Sequence, residues 1–156
     1  MNNEAFAKRI ELIRGRLYKT ALLYMGNETL AMDVLDETVY KALCGYKKLR
    51  QNEFFDTWIT RILINECHSE MRRQSRYRPL DELRETATED FDVLPLKEAI
   101  RRLPKDLKDV IILRYFSGYT LVETAEALQI PQGTAATRQR KALKLLKLEL
   151  GEEVPE

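Results

Sequence analysis

Apolar residues along the first half of the chain recur at helical spacing. Phe6, Ile10, Ile13, Leu17 and Tyr24 form one stripe, which predicts an amphipathic helix over about 4–25. Gly26-Asn27 stops it, and Asn27 is placed to cap the next helix. This second helix is predicted over about 28–44, with Leu30, Val34, Thr38 and Ala42 along one side and Gly45 at its end. Asp33, Asp36, Glu37 and Lys41 fall mostly on its other faces. A polar loop, 47–53, leads to a third helix over about 54–76. That helix opens with Phe55, Trp58, Ile59 and Ile62 and ends in Arg72, Arg73 and Arg76. Trp58 sits at core spacing between Phe55 and Ile62.

The period fails over 77–94. Pro79 and Pro95 bracket most of this stretch, which reads as a linker with a short helical turn near 80–84. Four helices come after it. Leu96, Ile100 and Leu103 mark one that Pro104 ends. Leu107, Val110, Ile111 and Tyr115 mark the next, ended by Gly118. Thr120-Leu-Val-Glu123 spells a capping box before the third, which runs to the turn Gln129-Ile130-Pro131. The last spans about 132–148. The expected fold is all-α: two small helical domains, 1–76 and 95–156, joined by an acidic linker, 77–94.

Charge sharpens this division. The net charge is only +1. Residues 1–78 hold 14 Lys/Arg against 10 Asp/Glu, residues 79–98 hold 2 against 7, and residues 99–156 hold 10 against 8. Two basic blocks flank an acidic one, the pattern of two nucleic-acid-facing modules. The last helix carries Arg138, Arg140, Lys141, Lys144 and Lys147 and no acid between Gln132 and Leu148. Its first turns, from Gly133 to Thr137, are small enough to approach a DNA groove. A capped helix, a short turn and a basic second helix together read as a helix-turn-helix, with Ala125 at the close crossing and Ile130 plugging the gap.

Other chemistry is sparse. Two cysteines, Cys44 and Cys67, are too few for a disulfide scaffold and read as buried or half-buried free thiols. The single histidine, His68, adjoins Cys67, and neighbours on a helix diverge by about 100°, so no metal site is expected. No glycine-rich phosphate loop and no paired apolar carboxylates occur, so no enzyme, cofactor or small-molecule substrate is expected. The N-terminus lacks a signal-peptide pattern, and no run nears the roughly 20 apolar residues of a membrane span. A cytoplasmic, monomeric protein is expected.

Two segments carry a family resemblance. Thr120-Leu-Val-Glu-Thr-Ala-Glu-Ala-Leu-Gln-Ile-Pro-Gln-Gly-Thr-Ala-Ala-Thr-Arg138 resembles region 4 of the extracytoplasmic-function (ECF) sigma factors of bacterial RNA polymerase. Asp33-Val-Leu-Asp-Glu-Thr-Val-Tyr-Lys-Ala42 and Phe55-Asp-Thr-Trp-Ile-Thr-Arg-Ile-Leu-Ile-Asn65, followed by Arg72-Arg73, resemble region 2. The segments lie in family order and together cover about 25–75 and 95–147. Asp36 stands where Gln is usual, Ser69 where Asp is common, Gln129 where the turn has Gly, and Ala136 where Lys is common.

The resemblance implies a transcription initiation factor that binds core RNA polymerase and promoter DNA. It implies that Asp33, Asp36, Glu37, Tyr40 and Lys41 meet the polymerase. By the same resemblance Arg50, Gln51, Asn52, Arg61, Asn65, Arg72 and Arg73 handle the melted −10 element. Gln51 and Asn52 have amides that can bond an extruded base. Thr134, Ala135, Thr137 and Arg138 would read the −35 element, with Arg140, Lys141 and Lys144 on phosphates. Glu85, Glu89, Asp90 and Asp92 of the linker either mimic RNA in the polymerase channels or form a plain tether. An anti-sigma factor, often membrane-anchored in this group, and a stress or envelope response are further implications. No sensing domain is expected after the last helix. The rival is a helix-turn-helix repressor or activator, which would bind a palindromic site without polymerase.

Overall fold

A computed structural model describes residues 1–77 and 94–149. The chain divides into two compact units, Met1–Ala87 and Thr88–Glu156. The expected linker turn near 80–84 and the acidic run of Glu85 to Asp92 lie outside the described residues.

The first unit is a bundle of three mutually packed helices, α1 (Asn3–Met25), α2 (Glu28–Gly45) and α3 (Phe55–Tyr77). Asn2 caps α1 by accepting from the Ala5 amide, and Asn27 caps α2 by accepting from the Leu30 amide. Gly26 ends α1 at φ 66°, a left-handed conformation that glycine adopts without a Cβ clash. The α1 stripe of Phe6, Ile10, Ile13, Leu17 and Tyr24 is buried as its spacing predicts. At one end Phe6 stacks on Tyr46 with ring centroids 4.5 Å apart and meets Phe55 edge-on at 5.8 Å. Trp58 is half-buried, not fully internal: it leans on Phe55 and lies over Gly45. Cys67 is buried, but Cys44 is exposed, because it lies on the outer side of α2.

The second unit holds α4 (Leu94–Arg102), α5 (Lys105–Ile111), one π-helical turn (Ile112–Phe116), α6 (Leu121–Leu128) and α7 (Gln132–Glu149). Pro95, expected at the linker boundary, lies in the first turn of α4, where a missing N–H costs nothing. α7 packs on α4, α5 and α6. The π turn changes one expectation. Ile111, Ile112 and Leu113 are buried consecutively, and the widened turn throws Tyr115 outward instead of onto the core stripe. Its defining bond runs from the Ser117 amide to the Ile112 carbonyl at 2.9 Å. Gly118, at φ 78°, then lets the Tyr119 amide reach the Leu113 carbonyl at 3.0 Å.

The helix-turn-helix forms as its spelling predicts. The Thr120 hydroxyl accepts from the Glu123 amide at 3.1 Å, and the Glu123 carboxylate accepts from the Thr120 amide at 2.9 Å. Gln129 takes the left-handed turn position at φ 55°, ψ 47°. That conformation costs a non-glycine residue about 1 kcal/mol. The Ile130 amide closes the turn on the Ala125 carbonyl at 3.0 Å.

Candidate nucleic-acid interface

Three surfaces arise from these helices, two on the first unit and one on the second. On α3, Arg61, Asn65, Ser69, Arg72 and Arg76 fall within about 80° of one another at 100° per residue, so they form a single basic and polar stripe. Asn65, Ser69, Arg72 and Arg76 are exposed and Arg61 is half-buried. Arg72 donates to the Ser69 hydroxyl at 3.2 Å. Arg73 stands off the stripe. It makes two bonds to the Glu70 carboxylate, at 3.0 and 2.8 Å, a forked pair at i,i+3 spacing, so its charge is already engaged within the helix.

The loop before α3 consists of two short 3₁₀ turns, Tyr46–Lys48 and Asn52–Phe54. The Leu49 amide bonds the Tyr46 carbonyl and the Phe54 amide bonds the Gln51 carbonyl, both at 3.1 Å. Arg50, Gln51 and Asn52 are exposed at the apex. Gln51 precedes the second turn without capping it, so its amide keeps a donor and an acceptor for another molecule.

On α2, Asp33, Asp36, Glu37 and Tyr40 share an exposed face, with Tyr40 61% exposed. Ion pairs tie both edges of this face to the bundle. Arg14 of α1 lies 3.8 Å from Asp36. Lys41 is held by Glu66 of α3, and that bond raises the lysine pKa and keeps it protonated. Neither partner is visible in local spacing, which by itself sets Lys41 outward with the acids.

On α7, Gly133, Thr137, Arg140 and Lys144 form the outward stripe, and Lys141 flanks it. The Thr137 hydroxyl donates to the Gly133 carbonyl at 3.0 Å. It accepts in turn from the Arg140 guanidinium at 3.4 Å. Ala135 corrects the expectation of a groove contact. It is 0% exposed because it lies nearly opposite this stripe, in line with buried Ala142 and Leu146, and it packs the helix into the unit. Thr134 and Arg138 lie between the two sides, half-buried. Arg138 is 3.9 Å from Asp106 of α5. Arg114, from the π turn, donates to Gln139 at 3.1 Å and to the Tyr119 carbonyl at 2.9 Å, which fixes α7 on its neighbours. No periodic signal marks this brace.

Among the described residues, no three of His, Cys, Asp and Glu converge as metal ligands, and no helix is long and apolar enough to cross a membrane.

An exposed loop beside a basic helix in one unit, and a helix-turn-helix in the other, are surfaces suited to nucleic acid. The Sigma-70 region 2 model matches residues 10–77, and the Sigma-70, region 4 model matches residues 99–148. The RNA polymerase sigma factor SigV of Bacillus subtilis is 31% identical over 141 residues, which cover 87% of this chain and 85% of SigV. The ECF RNA polymerase sigma factor SigW of the same organism is 26% identical over 170 residues, covering 96% and 90%. The sigma factor RpoE of Bartonella quintana, solved in complex with the anti-sigma factor NepR, matches with a TM-score of 0.79 at 23% identity, over 97% of this chain and 99% of that one. CnrH, solved with the cytosolic domain of CnrY, matches at 0.77 and 21%, over 96% and 90%. The chain belongs to the ECF group of RNA polymerase sigma factors.

Proposed function

We propose that the chain joins core RNA polymerase through α2 and divides promoter recognition between its two units. Asp33, Asp36, Glu37 and Tyr40, with Lys41 at the edge, offer carboxylates around an aromatic to a basic, partly apolar surface of the polymerase. The region 1–76 handles the −10 element. Gln51 and Asn52 capture an unstacked base, Arg50 supports them, and Arg61, Asn65, Arg72 and Arg73 follow the backbone of the opened strand. The region 95–156 reads the −35 element in duplex form. Thr134, Thr137 and Arg138 meet base edges, and Arg140, Lys141 and Lys144 hold phosphates.

The observation that carries this reading is the pair of matches to regions 2 and 4, in family order, each falling on a unit with its own exposed basic surface. The chain acts in the cytoplasm, in a stress or envelope response. An anti-sigma factor restrains it, a reading supported by the anti-sigma complex of its fold relative. Its residues serve binding, with no catalysis of their own.

The test is run-off transcription from genomic DNA with purified core polymerase. Discrete transcripts that need both core and this chain are expected. Tight binding of the isolated chain to a palindromic duplex, with no core-dependent transcripts, would instead establish a repressor or activator.

A further inference from the structure

The base-capturing loop is short, polar and exposed, yet both of its roots are pinned to one element, the first turns of α1. At the leading root, Tyr46 is 2% exposed, stacks on Phe6 at 4.5 Å and donates its hydroxyl to Asn3. At the trailing root, Arg9 donates to the Asp56 carboxylate at 3.1 Å, and its guanidinium lies 5.2 Å from the centre of the Phe55 ring. Phe55 is 0% exposed and also meets Phe6. Phe55 and Asp56 are the first two residues of α3, directly after the loop's second turn.

Phe6 and Tyr46 are buried and hold the fold. Arg9 differs: its side chain is 35% exposed and Asp56's is 40%, so the bundle's interior does not depend on them. Their pairing couples two helices 47 residues apart in sequence, at the point where the loop turns into α3. A planar guanidinium can bond a carboxylate edge-on and cover an aromatic face at once, which a lysine cannot do.

We propose that Arg9 is a positioning residue for strand capture: through Asp56 and Phe55 it sets the angle at which the loop carrying Gln51 and Asn52 leaves α3. It touches no nucleotide. The proposal rests on the reading of that loop as the base-capturing element. A loop that must hold one base edge gains affinity when its geometry is set before binding, because less ordering remains to be done.

The experiment uses the full chain bound to core polymerase. The probe is a fluorescent single-stranded oligonucleotide carrying the non-template −10 strand of a promoter found by run-off transcription. Arg9→Ala should bind it about fivefold more weakly, the size of one partly exposed ion pair plus one cation–π contact. Affinity for core should stay at the wild-type value. Arg9→Lys should recover only part of the loss. Arg9→Ala with Asp56→Ala should be no weaker than the weaker single variant, since the two act as one device.

Wild-type oligonucleotide binding by Arg9→Ala overturns the proposal. So do additive losses in the double variant, or an equal fall in core affinity, which would mark Arg9 as a general structural residue. The Gln51→Ala, Asn52→Ala double variant separates the layers. If it loses oligonucleotide affinity and Arg9→Ala does not, the brace alone is wrong. If it binds normally, the loop does not read the strand, and an Arg9 effect then lies elsewhere.

Discussion

The two units place their proposed DNA-facing residues by opposite means. In the first, helices of 23, 18 and 23 residues pack around Phe6, Tyr46 and Phe55, and the proposed base-reading groups ride on the loop between two of them. In the second, α4, α5 and α6 have 9, 7 and 8 residues, and the proposed reading groups sit on one face of the longer α7. Helices that short are marginal on their own. They rely on end devices: the Thr120–Glu123 box, the left-handed Gln129, the π turn closed at Gly118, and the Arg114 brace. A loop can read a base if a large aromatic core holds its roots. A helix can read a groove on a small core if its neighbours are capped and braced.

Removing the aromatic core should therefore have the largest effect, confined to the first unit. Phe55→Ala deletes a fully buried ring that contacts Phe6 and Trp58. It should cost about 3–5 kcal/mol. Amide NMR signals from 121–147 should persist when those of α1–α3 are lost. Loss of both sets together would mean that the units do not fold independently.

On the second unit the reading face should separate into two kinds of residue. Arg138→Ala should weaken binding of the holoenzyme to the matched −35 element by about 1–3 kcal/mol and relax base preference at one position. Lys144→Ala should weaken matched and mismatched elements alike and lower the salt slope by about 1. If Arg138→Ala also acts on all sequences equally, its pairing with Asp106 keeps it off the bases, and Thr134 and Thr137 carry the selectivity.

Smaller again is the capping device. Thr120→Ala removes the hydroxyl that accepts from Glu123 and should cost about 1 kcal/mol. Measured by urea unfolding, the loss should fall wholly on the second unit. Removing the matching cap of the longer α2, by Asn27→Ala, tests the comparison directly. If it costs the first unit a larger share of its stability, end devices matter no less in long helices.

Legibility in the sequence obeys the same division. Regular stripes mark α1, α2, α3, α6 and α7 to within a residue or two, because periodic burial writes itself into spacing. The capping box is legible for the same reason, being a local pattern. The π turn is not: Ile111-Ile112-Leu113 fits any buried helix until one sees that Tyr115 leaves the core. Ala135 resembles a groove contact because small residues suit both a groove and a tight packing seam. Distant ion pairs, Arg9 with Asp56 and Lys41 with Glu66, depend on which helix faces bundle together, and no local pattern encodes that.

The smallest effect tests whether α3 keeps one of its arginines for itself. Glu70 sits below its ordinary carboxylate pKa, chiefly because Arg73 bonds it, with Gln74 adding a bond at 2.6 Å and partial burial opposing both. A depressed folded-state pKa means that the pair stabilises the fold above about pH 4.3, the unfolded value, and that this is lost as pH falls through the lower folded one. Because the Arg73 side chain is 63% exposed, the contribution should be only about 0.3 kcal/mol. Glu70→Gln should thus be slightly less stable than wild type near pH 6 and equal to it near pH 3. A difference that survives at pH 3 would reflect packing, not charge. The same variant removes the carboxylate that Arg73 bonds. If Arg73 lies along the path of the opened strand, the holoenzyme's affinity for the −10 oligonucleotide should rise and its salt slope should steepen by about 0.7. An unchanged slope would make Arg73 a staple of α3, and the strand would follow the stripe of Arg61, Asn65 and Arg72 alone.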